Sequence, residues 1–130
     1  MIEITEDDFS IEEAVRRARR DEAGAVVSFL GTVRDDGILS MDLETYREAA
    51  VQELERISDE AVSRFGLKSV NIIHRVGSLK VGENIALIVV SAPHRKEAFE
   101  GCSYILERLK KGIPIWKKER RESGEMWVGL

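Results

Sequence analysis

The chain has one cysteine and two histidines among 130 residues. One thiol forms no internal disulfide and builds no cysteine-ligated zinc or iron–sulfur centre. The histidines and scattered carboxylates show no metal-ligand spacing, so no metal or cofactor is expected. A reducing compartment is the simple reading. No apolar run approaches the roughly 18 residues that cross a bilayer, and the acidic start Met1–Asp8 lacks the basic and apolar regions of a secretion signal. A cytoplasmic protein without membrane contact is therefore expected. Repeats, low-complexity tracts and Gly/Pro/Ser linkers are also missing, which makes residues 1–130 one expected domain. Nor is there an excess of positive charge. A net charge of -4 argues against coating nucleic acid through an overall field, so any anion must be bound by a local cluster.

What the chain does have is patterned apolar sequence. Ser10-Ile11-Glu12-Glu13 has capping-box spacing and predicts a helix to about Asp21. Gly24 to Arg34 is β-rich and uncharged until its last residue, which predicts a buried strand ending at Arg34. After the turn signal Asp35-Asp36-Gly37, alternation over Ser40–Tyr46 predicts a strand with one wet face. Ala50, Leu54, Ile57, Ala61 and Phe65 recur at helical spacing before a C-cap at Gly66. Strands are expected at Val70–Val76 and Ile85–Ser91, a helix from about His94 to Lys111, and a terminal hairpin of Pro114–Arg121 and Met126–Val128. The order αββαββαββ places the chain in the α+β class with a mixed or antiparallel sheet.

Three places collect groups able to handle an anion. Arg34 closes a strand before a turn, where a guanidinium either grips phosphate or carboxylate in bidentate fashion or stands solvated. His94 and Arg95 open a helix, whose free N–H groups and dipole suit an anion; a cation there is unfavourable by about 0.3–1 kcal/mol unless an anion joins it. The alternative is that both point to solvent. The third place is Lys110-Lys111-Gly112-Ile113-Pro114-Ile115-Trp116-Lys117-Lys118-Glu119-Arg120-Arg121, six cations and one anion around an exposed-looking tryptophan. Crowded ammonium groups depress one another's pKa, and a lysine so tuned serves as nucleophile or general acid/base. The alternative is a solvated basic surface or a nucleic-acid patch with an aromatic platform. Cys102 lies in the apolar stripe Ala98, Cys102, Ile105, Leu109 and reads as a buried small hydrophobe. His74 shares a strand face with Val70, Ile72 and Val76 and reads as a core or edge histidine.

Four stretches together resemble the molybdopterin synthase large subunit family: Gly24–Arg34; Ile73-His74-Arg75-Val76-Gly77 with Gly82-Glu83; His94-Arg95-Lys96-Glu97-Ala98-Phe99; and Leu109-Lys110 with Pro114-Ile115-Trp116-Lys117-Lys118-Glu119. The resemblance spans nearly the whole chain in order, and the last signature is specific. It implies an α/β hammerhead-like fold with an added β subdomain. It implies a homodimer within a heterotetramer, each protomer receiving a small ubiquitin-like sulfur-carrier subunit. That subunit's C-terminal thiocarboxylate would deliver sulfur to cyclic pyranopterin monophosphate, forming the dithiolene of molybdopterin. By motif, Lys110 is expected nearest the thiocarboxylate and Lys117 is its catalytic companion. His94 and Arg95 would hold the substrate phosphate, with Arg34, Thr32 and Val33 beside it and Lys118 and Glu119 lining the site. The rival reading is a non-catalytic module that binds a phosphorylated metabolite or single-stranded nucleic acid. A substrate site should gather Arg34, His94, Arg95, Lys110 and Lys117 into one pocket, whereas a nucleic-acid binder should spread its cations along one face.

Overall fold

The computed structural model describes residues 1–128. The elements run β1 (Ile2–Thr5), α1 (Ile11–Ala18), β2 (Ala25–Thr32), β3 (Ser40–Thr45), α2 (Arg47–Phe65), β4 (Ser69–Arg75), β5 (Gly77–Leu79), β6 (Asn84–Ala92), α3 (Arg95–Leu109), β7 (Ile115–Arg121) and β8 (Gly124–Val128). They form two four-stranded sheets, ordered β1-β4-β6-β2 and β5-β3-β7-β8. The first is mixed, with β1 parallel to β4 and the other pairs antiparallel; the second is antiparallel throughout. The fold is α+β with a separate β sheet, as the sequence led one to expect.

The first sheet is covered on both faces over its two central strands, and their alternation records this. Ile88 and Val90 of β6 join Ile72 of β4 against Leu54 and Ile57 of α2 and Ile105 of α3. Leu87 and Val89 face the other way with Ile73, against Ala14 and Ala18 of α1. Both central strands are thus apolar on consecutive residues.

Several expectations need correcting. Ser10 does cap α1, its side chain accepting from the Glu13 N–H at 3.1 Å. The helix nevertheless stops at Ala18 rather than near Asp21, because Arg19 turns to extended backbone. The strand from Gly24 ends at Thr32, two residues short of Arg34, and it is not buried. Its residues alternate between half-buried and exposed, with Val26 and Leu30 each 37% exposed. As the outermost strand of its sheet, β2 packs against α3 on one face and is only partly covered on the other. Strands β1 and β5 were not anticipated. The first is only four residues long; the second lies inside the expected connection from Gly77 to Gly82, where three residues pair with β3.

Arg75 fastens this connection. It is 7% exposed and donates to the carbonyls of Glu6 and Asn84 and to the Glu83 carboxylate. The loop then holds the end of β2: the Val33 N–H donates to Glu83 O at 2.9 Å, and Gly82 N–H donates to Val33 O at 2.8 Å.

Candidate active site

The two sheets meet where β4 and β6 pass the start of β7. A cavity of about 300 Å³ opens there, lined by Phe29 and Thr32 of β2, His74, Ile85 and Ala86, Leu106, Leu109 and Lys110 at the end of α3, and Lys117 of β7. Its walls are mostly apolar, and its polar side chains are two lysines, one histidine and one threonine. Such a site strengthens the field of a fixed cation, because little water screens it.

Lys110 and Lys117 reach it from different elements. Lys110 is the C-cap of α3, where the negative end of the helix dipole favours a cation. Gly112, at φ +80, then turns the chain, and Ile115 starts β7. Lys117 pairs with Leu43 on one side and Val128 on the other, which places its side chain on the cavity face of the second sheet. Burial depresses the Lys117 pKa most, and the Lys110 charge adds to this, partly opposed by Glu119. The expected mutual effect of crowded lysines is present, but desolvation is the larger cause.

Alternation along β7 divides the rest of the basic segment. Lys118 faces away from the cavity, 3.2 Å from Glu125 and over the ring of Trp127. Glu119 accepts from Arg121 at 2.6 Å. Trp116 is 41% exposed and packs edge-on against Tyr46. Of the motif Trp116–Glu119, only Lys117 lines the cavity.

The phosphate-binding candidates are divided too. Thr32 lines the cavity, whereas Val33 is buried and spends its N–H and carbonyl on Glu83 and Gly82. The Arg34 side chain is 83% exposed and paired with Asp36 at 2.9 Å. His94 and Arg95 are exposed at the N-terminus of α3, with no side-chain capping bond from His94. They lie at the other end of the ladder: Thr32 pairs with Asn84, Ala25 with Ala92. Seven residues of strand, about 24 Å at 3.4 Å per residue, separate those pairs. Within one chain, Arg34 and the His94-Arg95 pair are not brought into one pocket.

Sequence reasoning missed His74 and the apolar wall. His74 is 9% exposed, bonded through Nδ1 to Arg75 O at 2.8 Å. Burial holds its pKa down despite that bond, and the Lys117 charge lowers it further. The expectation of a core or edge histidine on the face of Val70, Ile72 and Val76 agrees with this burial; that the same face borders a cavity is not written in the strand's pattern. Cys102 is buried as expected, its thiol pushed up to about 11 by desolvation. No cluster of three or more metal-ligating side chains occurs among the described residues, and no helix there is long and apolar enough to cross a membrane.

Comparison with known proteins identifies the setting of these residues. The family model described as MoaE protein matches residues 4–112. The molybdopterin synthase catalytic subunit of Pyrococcus abyssi is 45% identical over 126 residues, covering 94% of this chain and 85% of that one. The crystal structure of molybdopterin synthase from Staphylococcus aureus superposes with a TM-score of 0.92 at 35% identity, covering 98% of this chain and 96% of that one. A protein–protein complex of subunits 1 and 2 of the molybdopterin-converting factor from Helicobacter pylori includes a chain of the same fold, with a TM-score of 0.82 at 23% identity, covering 98% and 89%. A family model over most of the chain, close relatives and a shared fold lead to one conclusion: this chain belongs to the MoaE family of molybdopterin synthase catalytic subunits.

Proposed function

We propose that Lys110 and Lys117 carry out sulfur transfer from the C-terminal thiocarboxylate of a small ubiquitin-like subunit to cyclic pyranopterin monophosphate, giving the dithiolene of molybdopterin. The observation that carries this reading is their convergence, from a helix end and a strand, on one apolar-walled cavity. Attack by the carrier's thiocarboxylate sulfur on the pterin side chain would form a thioester and pass negative charge to the opening phosphate ester. Addition of water to that thioester would then build an oxyanion on its carbonyl, releasing the carrier as a carboxylate and leaving the sulfur on the pterin. Fixed cations in a site partly shielded from water stabilise that charge. Lys117, whose pKa burial and the Lys110 charge lower, can also give up and recover a proton more readily than an exposed lysine. The cavity's apolar wall and open mouth suit an extended chain terminus, and the two-subunit complex formed by the Helicobacter pylori protein is the precedent for such a partner. A cytoplasmic location agrees with a soluble carrier.

The substrate phosphate requires Arg34, His94 and Arg95 to act together, and one chain holds them at opposite ends of β2. A homodimer resolves this. The outer edge of β2 is unpaired within its sheet, and Val26 and Leu30 beside it are exposed. A second copy joined along this edge about a two-fold axis would run antiparallel. The Arg34 end of one protomer would then lie by the partner's His94-Arg95 end. Each site would draw residues from both chains. The nucleic-acid reading is disfavoured by the same geometry, since Lys118 is tied to Glu125 and Arg120 to Asp42, leaving no continuous basic face along β7.

The test is a single-turnover assay with cyclic pyranopterin monophosphate and thiocarboxylated small subunit, with Lys110→Ala and Lys117→Ala in parallel. Dithiolene product from the wild type, and loss of at least about 100-fold in folded variants, is the expected result. No product from wild type with a partner shown to bind would overturn the assignment.

A further inference from the structure

We propose that the outer face of the second sheet carries a socket for an arginine side chain of a partner protein, built from Trp116, Trp127, Tyr46 and Glu44. Trp116 belongs to the basic segment but does not line the cavity that Lys117 enters. Residues paired directly across antiparallel strands share a face of the sheet. Trp116 therefore stands with Glu44 of β3, and Lys118 with Asp42 of β3 and Trp127 of β8. Tyr46, just past β3, meets Trp116 edge-on with 5.0 Å between ring centres. The three rings, Glu44 and Thr45 line an open depression of about 330 Å³. All three rings are exposed.

The charges on this face select the ligand. Asp42, Glu44, Lys118, Arg120 and Glu125 share it. Arg120 pairs with Asp42 at 2.7 Å and with Glu125 at 3.4 Å, and Lys118 pairs with Glu125 at 3.2 Å. Glu44 is exposed and forms no ion pair among the described residues. Three carboxylates against two cations leave one negative charge, and it stands opposite Trp116. An anion beside exposed aromatic rings recruits a cation. Lys118 already follows this rule, its Nζ lying 4.8 Å from the centre of the Trp127 ring. Arginine fits the remaining place better than lysine, because its planar guanidinium stacks on an indole while two N–H groups reach one carboxylate. The same carboxylate repels phosphate, which disfavours a nucleic acid stacked on these rings. A small free ligand needs enclosing walls, whereas Trp and Tyr ringed by ion pairs suit the anchor point of a protein interface. Alternation along β7 turns Trp116 away from the face of Lys117, so an occupant of the socket leaves Lys117 uncovered.

Both tryptophans of the chain line this depression, so tryptophan fluorescence reports on the socket and on nothing else. The probe is N-acetyl-arginine amide titrated into the full-length protein, with the citrulline compound, equal in shape but neutral, as its control. The arginine compound should give a saturable change with a Kd on the order of 1 mM. Binding should weaken about 3-fold or more in Glu44→Gln and in Tyr46→Ala, both exposed positions whose folding circular dichroism checks. Saturating small subunit should leave the titration unchanged, and single-turnover sulfur transfer should run at the wild-type rate in both variants. Equal responses to arginine and citrulline, or equal binding by wild type and Glu44→Gln, overturn the proposal. Loss of the arginine response when the small subunit is bound also overturns it, since the face would then belong to the carrier. The fluorescence result does not depend on turnover, so it stands apart from the sulfur-transfer reading.

Discussion

Burial lowers the pKa of both Lys117 and His74, and for His74 the Lys117 charge lowers it further. For Lys117 this predicts a rate that rises with pH through a midpoint below the ordinary 10.5. Lys117→Arg keeps the charge but cannot release a proton, so its single-turnover rate should lose that rise and fall about 100-fold or more. An Arg variant as fast as wild type would leave Lys117 only a charge-stabilising part. For His74 the consequence is stability. Its folded pKa lies below the ordinary 6.5, so between 6.5 and that lower value the unfolded chain binds a proton that the native chain refuses. Stability therefore falls as the pH drops through this window, by at most about 1.4 kcal/mol per pH unit from this residue. Urea unfolding at pH 7 and pH 5 should show a smaller loss in His74→Gln than in wild type. The lysine pair was legible in the sequence because it sits in a specific motif. His74 was not, since nothing along the chain tells which face of a buried strand will border a cavity.

Helices were the legible elements: Ala50, Leu54, Ile57 and Ala61 are all fully buried, as their 3.6-residue spacing required, and Gly66 closes α2 in the left-handed region at φ 67. Strands were less so, because their burial depends on neighbours that come from elsewhere in the chain. Gly24–Arg34 looks like a central strand in composition and is an edge strand in fact. Ile2–Thr5 has too few residues to show a period, yet it pairs along β4 over four positions. The start of β2 has one strict local requirement. A Cβ on Gly24 would stand 2.6 Å from the backbone oxygen of Pro93, the same oxygen that accepts the Gly24 N–H at 3.1 Å. Backbone must move to admit it, and the residue displaced next is His94. Gly24→Ala should cost about 1–3 kcal/mol in denaturant unfolding and should raise the KM for the pterin phosphate more than it lowers kcat. An unchanged KM in a destabilised variant would detach His94 from substrate binding.

At the scale of the whole molecule, the division of cations between the two ends of β2 has a consequence that activity measurements can read. In the proposed shared-site dimer, Arg34→Ala and Arg95→Ala should each abolish most turnover when made alone, since every site would then lack one of the two arginines assigned to the phosphate. Mixing the two variants under conditions that exchange subunits gives hybrids. In a hybrid with shared sites, one site has lost both arginines. The other combines Arg34 from the Arg95→Ala chain with Arg95 from the Arg34→Ala chain, and is intact. Random exchange makes half the dimers hybrids with one good site in two, so activity should recover to about a quarter of the wild-type value. If each pocket were built from a single chain, no combination of these variants would restore a site, and the mixture would stay as inactive as its parts. Size-exclusion chromatography with light scattering on the same mixture supplies the control: the dimer must persist in both variants, because Arg34 and Arg95 are exposed side chains and neither belongs to the apolar strip of Val26 and Leu30 that the pairing would bury. Recovery without an accompanying change in dimer mass therefore assigns the two arginines to one site across the two-fold axis, and Val26→Asp, which places a charge in that strip, should abolish dimer and turnover together.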